Sequence, residues 1–206
     1  MLVDPQEIYP SKPRVLVSAC LAGNKVRYDG GDKLQPWLLS DLQAWLEFET
    51  HCPEMAAEMG VPREPVQLVD DNGISVREVS RPQSDVSEQL RSSARDFLSR
   101  PHTWSAAILK ARSPSCGSGT TPVYAGDGKQ LRLGDGIFAG EFKDRFPGIS
   151  VVDESLLQGA EARERFVYYC YLSMAEAQGR GIEVALRELL GWQTGLSFQQ
   201  YLIVTG

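Results

Sequence analysis

Hydrophobic positions along the chain fall into two kinds of run, short β-branched ones and longer ones at helical spacing. Arg14–Ser18 reads RVLVS and leads straight into Ala19, Cys20, Leu21, Ala22 and Gly23, the form of a buried parallel strand ending in a loop. Trp104–Leu109 is a second apolar run, and it too leads into a turn, Ser113-Pro114-Ser115-Cys116-Gly117. The runs at 66–69 and 74–79 flank Asp70-Asp71-Asn72-Gly73, which predicts a hairpin. A short edge-like strand is expected at 149–152, after Pro147-Gly148.

Leu and Trp at helical spacing predict a helix over 36–48, with Pro36 suited to its first turn. The segment His51-Cys52-Pro53-Glu54 follows, and Pro53 opens a short helix at 55–59. Further helices are expected at 84–99 and 137–146, while 117–140 is dense in glycine and reads as loop and turn. From Asp153 the chain is helical for a long way, until Gly179 and Gly181 break it before a last helix at 182–190. This alternation predicts an α/β fold, an open, mostly parallel sheet flanked by helices. It divides the chain into an α/β domain at 1–154 and an appended helical C-terminal extension at 155–206.

With 206 residues, 42% hydrophobic and 23% charged, the chain is composed like an ordinary globular protein and long enough to bury a full core without disulfides or a structural metal. No stretch approaches the roughly 20 apolar residues of a membrane span, and residues 1–13 carry acids and prolines where a signal peptide would be basic and then apolar. A cytoplasmic location is therefore expected. In a reducing compartment four cysteines point to metal binding, catalysis or core filling before disulfides. The formal charge of -6 opposes broad binding to nucleic acid, although Arg27, Lys33, Arg63, Lys110 and Arg112 lie close to the cysteine-bearing segments.

Cys170, inside FVYYCYLSM, has the apolar helical surroundings of a core-filling thiol. Cys20, Cys52 and Cys116 sit instead beside Pro, Gly, Ser or Glu in turn-like segments. Ligands of open α/β sheets bind beyond the carboxyl ends of the strands, which is where Cys20 and Cys116 fall, and Cys52 joins them if its loop faces the same edge. Thiolates suit soft metals and iron-sulfur clusters, and three of them leave one position open to a substrate. No C-x-x-C pair occurs, and the long separations match neither a zinc ribbon nor a ferredoxin pattern.

Several blocks carry more than spacing does. SACLAGNKVRYDGGDK, HCPEMAAEMGVPREP and ILKARSPSCGSGTTPVY, followed by GDGIFAGEF and VVDE, closely resemble the bacterial thiouracil desulfidase family over residues 15–154. The resemblance implies a 4Fe-4S cluster held by Cys20, Cys52 and Cys116, with the fourth iron open to take sulfur from a thiolated pyrimidine. It also implies that Glu54 and Ser113 are the catalytic acid and hydroxyl, with Ser115 equally close in the same turn.

Elementary chemistry agrees with that assignment. Exchange of a thiocarbonyl sulfur for oxygen needs a thiophile for the leaving sulfide and a base for the attacking water, and no net electron transfer. Each residue also has a plainer reading. Glu54 after Pro53 favours a helix N-terminus, worth about 0.3–1 kcal/mol, and Ser113 and Ser115 serve turn formation around Pro114. Tyr28, Arg27 and Lys33 form either a solvated turn or a substrate wall, with Tyr28 stacking on a base and the cations meeting carbonyl or phosphate oxygens. Gly134, Gly136 and Gly140 are too irregular for a phosphate-binding fingerprint and suit tight turns, while His51 and His102 are weaker ligand candidates than the thiols.

The expected substrate is 2- or 4-thiouracil or thiouridine, converted to uracil or uridine with release of sulfide. GAEARERFVYYCYLSM resembles the opening of a helical extension implicated in tRNA thiouridine in some relatives. The acidic charge and the short run beyond that segment favour a free base or nucleoside over tRNA. Two other classes remain open at this point, a zinc or metal-free thiolate protein and a cysteine-persulfide sulfurtransferase with Cys116 as nucleophile. No membrane partner is expected, and oligomeric state is not legible.

Overall fold

The computed structural model describes residues 4–190. Its strands are β1 (Arg14–Ser18), β2 (Glu47–His51), β3 (Val66–Asp70), β4 (Ile74–Glu78), β5 (Trp104–Leu109), β6 (Thr121–Tyr124), β7 (Gln130–Gly134) and β8 (Ser150–Asp153). Its α-helices are α1 (Pro5–Ile8), α2 (Pro53–Ala56), α3 (Ser87–Ser99), α4 (Ile137–Arg145), α5 (Ala160–Ala177) and α6 (Ile182–Leu190). Strands β2, β1, β5 and β8 lie side by side in that order, and every pairing in this sheet is parallel. The expected α/β architecture is thus present, with helices on both faces.

A second sheet, in the order β4-β3-β6-β7, contains the expected hairpin of β3 and β4, but the sheet itself was not foreseen. It joins two antiparallel hairpins through a parallel pairing of β3 with β6. Half of it lies in the 117–140 stretch that reads as loop. There all the glycines but Gly134 fall outside the strands, at 117, 119, 126, 128, 136 and 140, and their density hides the short alternating runs TPVY and QLRLG. The helix expected over 36–48 also differs. Only a short turn forms, widened to a π-helix at Leu38–Leu42, and Glu47–His51 pairs with β1 as an edge strand. EFETH lacks an apolar run because an edge strand packs on one side only, so nothing in its composition separates it from the Leu- and Trp-rich segment before it.

Alternation along β1 divides the parallel sheet between two cores. Val15 and Val17, with Ala106 and Ile108 of β5, face α5, whereas Leu16, Ala107 and Leu109 face α3 and α4. A bulge places Trp104 opposite Arg14 and Ala106 opposite Val15, so Trp104 shares the face of Ala107. Residues 166–172 of α5 are all buried, the mark of a core helix. Burial at about 1.5–3 kcal/mol per large apolar side chain outweighs the few tenths that aromatic and β-branched residues lose in a helix. Cys170 lies in this core with no exposure. On the other side Leu90 of α3 and Ile137 of α4 also pack under the second sheet, against Leu68, Val76 and Val123. Among the described residues no helix is long and apolar enough to cross a membrane.

Candidate active site

Strand order 2-1-5-8 reverses between β1 and β5, because the chain moves outward to β2 before returning to the other side of β1. Such a reversal opens a crevice at the carboxyl ends of the strands, where the loops part in opposite directions. A cavity of about 500 Å3 occupies this position, and Cys20, Cys52 and Cys116 all line it. Cys52 directly follows β2, Cys20 lies in the 3-10 turn after β1, and Cys116 is in the turn after β5. The unforeseen strand β2 is what brings Cys52 to the same edge as the other two.

The thiols are free and close enough to affect one another. Burial pushes Cys20 up to about 11, the Cys52 thiol adds to this, and Arg27 and Lys110 oppose it. Burial likewise raises Cys52, and raises Cys116 well above its ordinary value, with a hydrogen bond from Ser18 acting the other way. None of the three is an activated thiolate in the metal-free chain. Among the described residues no three His, Cys, Asp or Glu side chains converge on one point as ligands of a single ion would.

The Cys116 turn is held from two sides. Ser113 Oγ accepts hydrogen bonds from the Ser115 and Cys116 amides, at 3.3 and 3.1 Å, and Gly117 N donates to Ser113 O at 2.8 Å. The first amides of α4 supply the rest. Ile137 N reaches Pro114 O at 3.0 Å, and Phe138 N and Ala139 N reach Ser115 O at 2.9 and 3.2 Å. A helix N-terminus has unpaired amides by construction, and here they are used to fix the loop that carries Cys116. This requires close approach at Gly136, where a Cβ would lie 2.5 Å from the Ser115 carbonyl carbon.

Glu54 lines the same cavity from the first turn of α2. Its Oε1 accepts from Ser115 Oγ at 2.8 Å, and its Oε2 accepts from Arg63 Nε at 2.9 Å and also from Arg63 Nη2. Ser115 is completely buried and does not line the cavity, whereas Ser113 does. The two serines left open by the sequence are therefore placed differently, Ser113 on the wall and Ser115 behind Glu54.

Arg27, Tyr28 and Lys33 all line the cavity, in the loop that leaves Cys20. Lys33 N donates to Cys20 O at 2.9 Å, which ties the far end of the loop to the cysteine. The Arg27 guanidinium lies 5.4 Å from the Tyr28 ring centre, and Tyr28 is 41% exposed, leaving ring surface for a ligand. His51 lines the cavity, but its ring stacks on Phe97 at 3.7 Å and burial drives its pKa down to about 4, so it is neutral. His102 Nε2 is engaged with Phe97 O at 2.8 Å and lies off the cavity.

Several residues that shape the site had no role assigned from sequence. Lys110 and Arg112 join Arg27, Lys33 and Arg63 on the wall, so a chain of net charge -6 carries a locally cationic cavity. Glu154, 8% exposed, follows β8, pairs with Lys110 Nζ and accepts from Ala111 N at 2.7 Å. Ser18 Oγ accepts from Lys110 N at 3.0 Å, which joins the ends of β1 and β5. The available signal was position: Ser18 closes RVLVS and Glu154 follows VVD, both at strand ends. All four parallel strands thus contribute side chains at one edge.

Residues 15–154 match the family model described as 2-thiouracil desulfurase. The uncharacterized protein YbbK of Bacillus subtilis (strain 168) is 33% identical over 156 residues, spanning 69% of this chain and 97% of its own. Among solved structures, the 4Fe-4S-dependent thiouracil desulfidase TudS resembles this chain with a TM-score of 0.57 and 34% identity, over 71% of this chain and 93% of that one. The family match runs from β1 to Glu154, and α5 and α6 lie beyond it.

Proposed function

The chain belongs to the 2-thiouracil desulfurase family, and from that premise we propose that it is an iron-sulfur enzyme replacing the sulfur of a thiolated pyrimidine by oxygen. The observation that carries this reading is the meeting of three thiols and one carboxylate on a single cavity wall at the switch point of the parallel sheet. The donor set fits a 4Fe-4S cluster. Three thiols lining one cavity are soft donors, each suited to a separate iron of such a cluster. Cys20, Cys52 and Cys116 would hold the cluster, which when bound supplies a Lewis-acidic fourth iron open to the thiocarbonyl sulfur.

In this reading the chain supplies position and proton transfer. Tyr28 offers a ring face to the pyrimidine, and Arg27 and Lys33 meet its oxygens. Ser113 Oγ uses its lone pairs on the turn amides, so its own hydrogen is free to donate to a substrate atom on the wall. Glu54 Oε1 takes one hydrogen bond from Ser115 and keeps a lone pair for a proton of the attacking water. A C–O bond forms and the C–S bond breaks. One water proton passes through Glu54 to the departing sulfide, the second leaves the new hydroxyl as the carbonyl forms, and water plus thiocarbonyl become carbonyl plus hydrogen sulfide with no electrons gained or lost overall.

The buried thiols weigh against a persulfide sulfurtransferase, which needs one thiol with a depressed pKa, and all three are raised. The test is anaerobic turnover of 2-thiouracil, 4-thiouracil, thiouridine and thiolated tRNA side by side, with iron and acid-labile sulfide measured on the same protein. Sulfide release from a free base or nucleoside, with about four irons per chain, is expected. Absence of iron and labile sulfide after anaerobic reconstitution would sink the cluster.

A further inference from the structure

Arg63 stands on the cavity wall, where an arginine would ordinarily be read as a substrate contact. Its hydrogen bonds say otherwise. A guanidinium has five N–H donors and no acceptor, and all five are committed within the protein. Nε and one Nη2 hydrogen go to Glu54 Oε2, and the other Nη2 hydrogen goes to Val26 O at 2.9 Å. Nη1 donates to Gly60 O at 2.7 Å and to Met55 Sδ at 3.8 Å. The side chain is 6% exposed, so water does not compete for these bonds.

We infer that Arg63 is a positioning residue for the desulfuration reaction, acting on substrate only through Glu54. The inference rests on the function proposed above. Nε and Nη2 both grip Oε2 while Ser115 Oγ donates to Oε1, so the two oxygens are held from different directions and Oε1, with this one hydrogen bond, keeps a lone pair to spare. The third contact, to Val26 O, anchors this carboxylate to the loop that leaves Cys20. Lysine cannot do the same work, because an ammonium has three donors and no planar fork. Displacement of a reacting group by about 1 Å can cost about 100-fold in rate, and that sets the scale of the effect.

The experiment uses full-length protein with its cluster reconstituted anaerobically, comparing wild type with Arg63→Met, Arg63→Lys and Arg63→Ala. Arg63→Met should lower kcat by about 10- to 100-fold while KM and iron per chain stay near wild type. Arg63→Lys should recover only a small part, and added guanidinium should restore turnover to Arg63→Ala. A raised KM with unchanged kcat would show that Arg63 contacts substrate, and the inference would be wrong. Loss of turnover in step with loss of iron, without guanidinium rescue, would make Arg63 a brace for the loops and equally overturn it. Wild-type protein that turns over no thiopyrimidine would remove the proposed function instead. The position of Arg63 would then be judged by whether the Glu54 carboxylate swings away in a crystal structure of Arg63→Met.

Discussion

Two glycines near the start and middle of α4 should respond to the same substitution with opposite signs. Gly136 has φ -65°, which alanine accepts without strain, so its Cα–H is required by space alone. A Cβ there would lie 2.5 Å from Ser115 C, 2.6 Å from Ser115 O and 2.8 Å from Ser113 O, short of the usual closest approach of 3.0 Å by as much as half an ångström. These are backbone atoms, Ser115 O held by two α4 amides and Ser113 O by Gly117 N and Thr121 Oγ1, and they cannot swing aside as a side chain would. Overpacking of this kind costs about 1–3 kcal/mol, which exceeds the ~0.4–1 kcal/mol gained from a stiffer unfolded chain.

Gly140, inside the same helix, has no neighbouring atom within 4 Å of the place a methyl would take, so Gly140→Ala should stabilise by about 0.5–1 kcal/mol. At about 2–4 °C per kcal/mol for a chain of this size, Gly136→Ala should melt several degrees below wild type and Gly140→Ala slightly above it. The displaced atoms belong to the residue before Cys116, so Gly136→Ala should also bind less iron after reconstitution. Melting by circular dichroism and iron per chain decide the matter. A Gly136→Ala protein with wild-type melting and full iron would refute the claim that this close approach sets the Cys116 turn.

Three other outcomes follow from the same contacts. Glu154→Gln leaves the Lys110 charge without its partner; removal of one member of a buried pair costs about 3–5 kcal/mol, and because Lys110 also faces the cavity a loss of about 2–3 kcal/mol is expected in urea unfolding. The double change Lys110→Met, Glu154→Gln should recover most of it, and a double variant less stable than the single would contradict the pairing argument. Ser115→Ala should lower kcat by freeing Glu54 Oε1, whereas Ser113→Ala should also reduce iron retention, since Ser113 caps the Cys116 turn; identical effects on iron would refute the division of roles. In metal-free protein, Cys20 stays protonated until the pH nears 11, so iodoacetamide should modify it slowly at pH 7.5 and faster as pH rises, and any folded-state stability tied to this raised thiol is lost over that same alkaline range. Rapid labelling of Cys20 at neutral pH would count against its burial.

How far the site could be read from sequence depended on how much of each residue's placement was local. Cys20 and Cys116 follow runs that can only be buried strands, so a strand-end position was legible for both. Cys52 was harder, because EFETH is a strand only by virtue of its pairing with β1, and an edge strand pairs through backbone groups that leave little trace in composition. The second sheet was hidden for a related reason: its strands are short and its connection through β3 and β6 joins residues far apart in the chain.

The clamp on Glu54 was less legible still. Arg63 and Ser115 lie nine and 61 positions from Glu54, on opposite sides of it in the fold, and no periodicity links them. What the sequence does carry is the residue that makes their meeting feasible. Gly136 lets α4 press its free amides onto the carbonyl of Ser115, which turns Ser115 Oγ toward Glu54 from one side while Arg63 holds it from the other. The carboxylate so held lines the same cavity as three thiols delivered by three neighbouring strands. A glycine that reads as a tight turn thus helps to set the placement of Glu54 in the proposed reaction, and its replacement tests the whole arrangement at a position off the cavity lining.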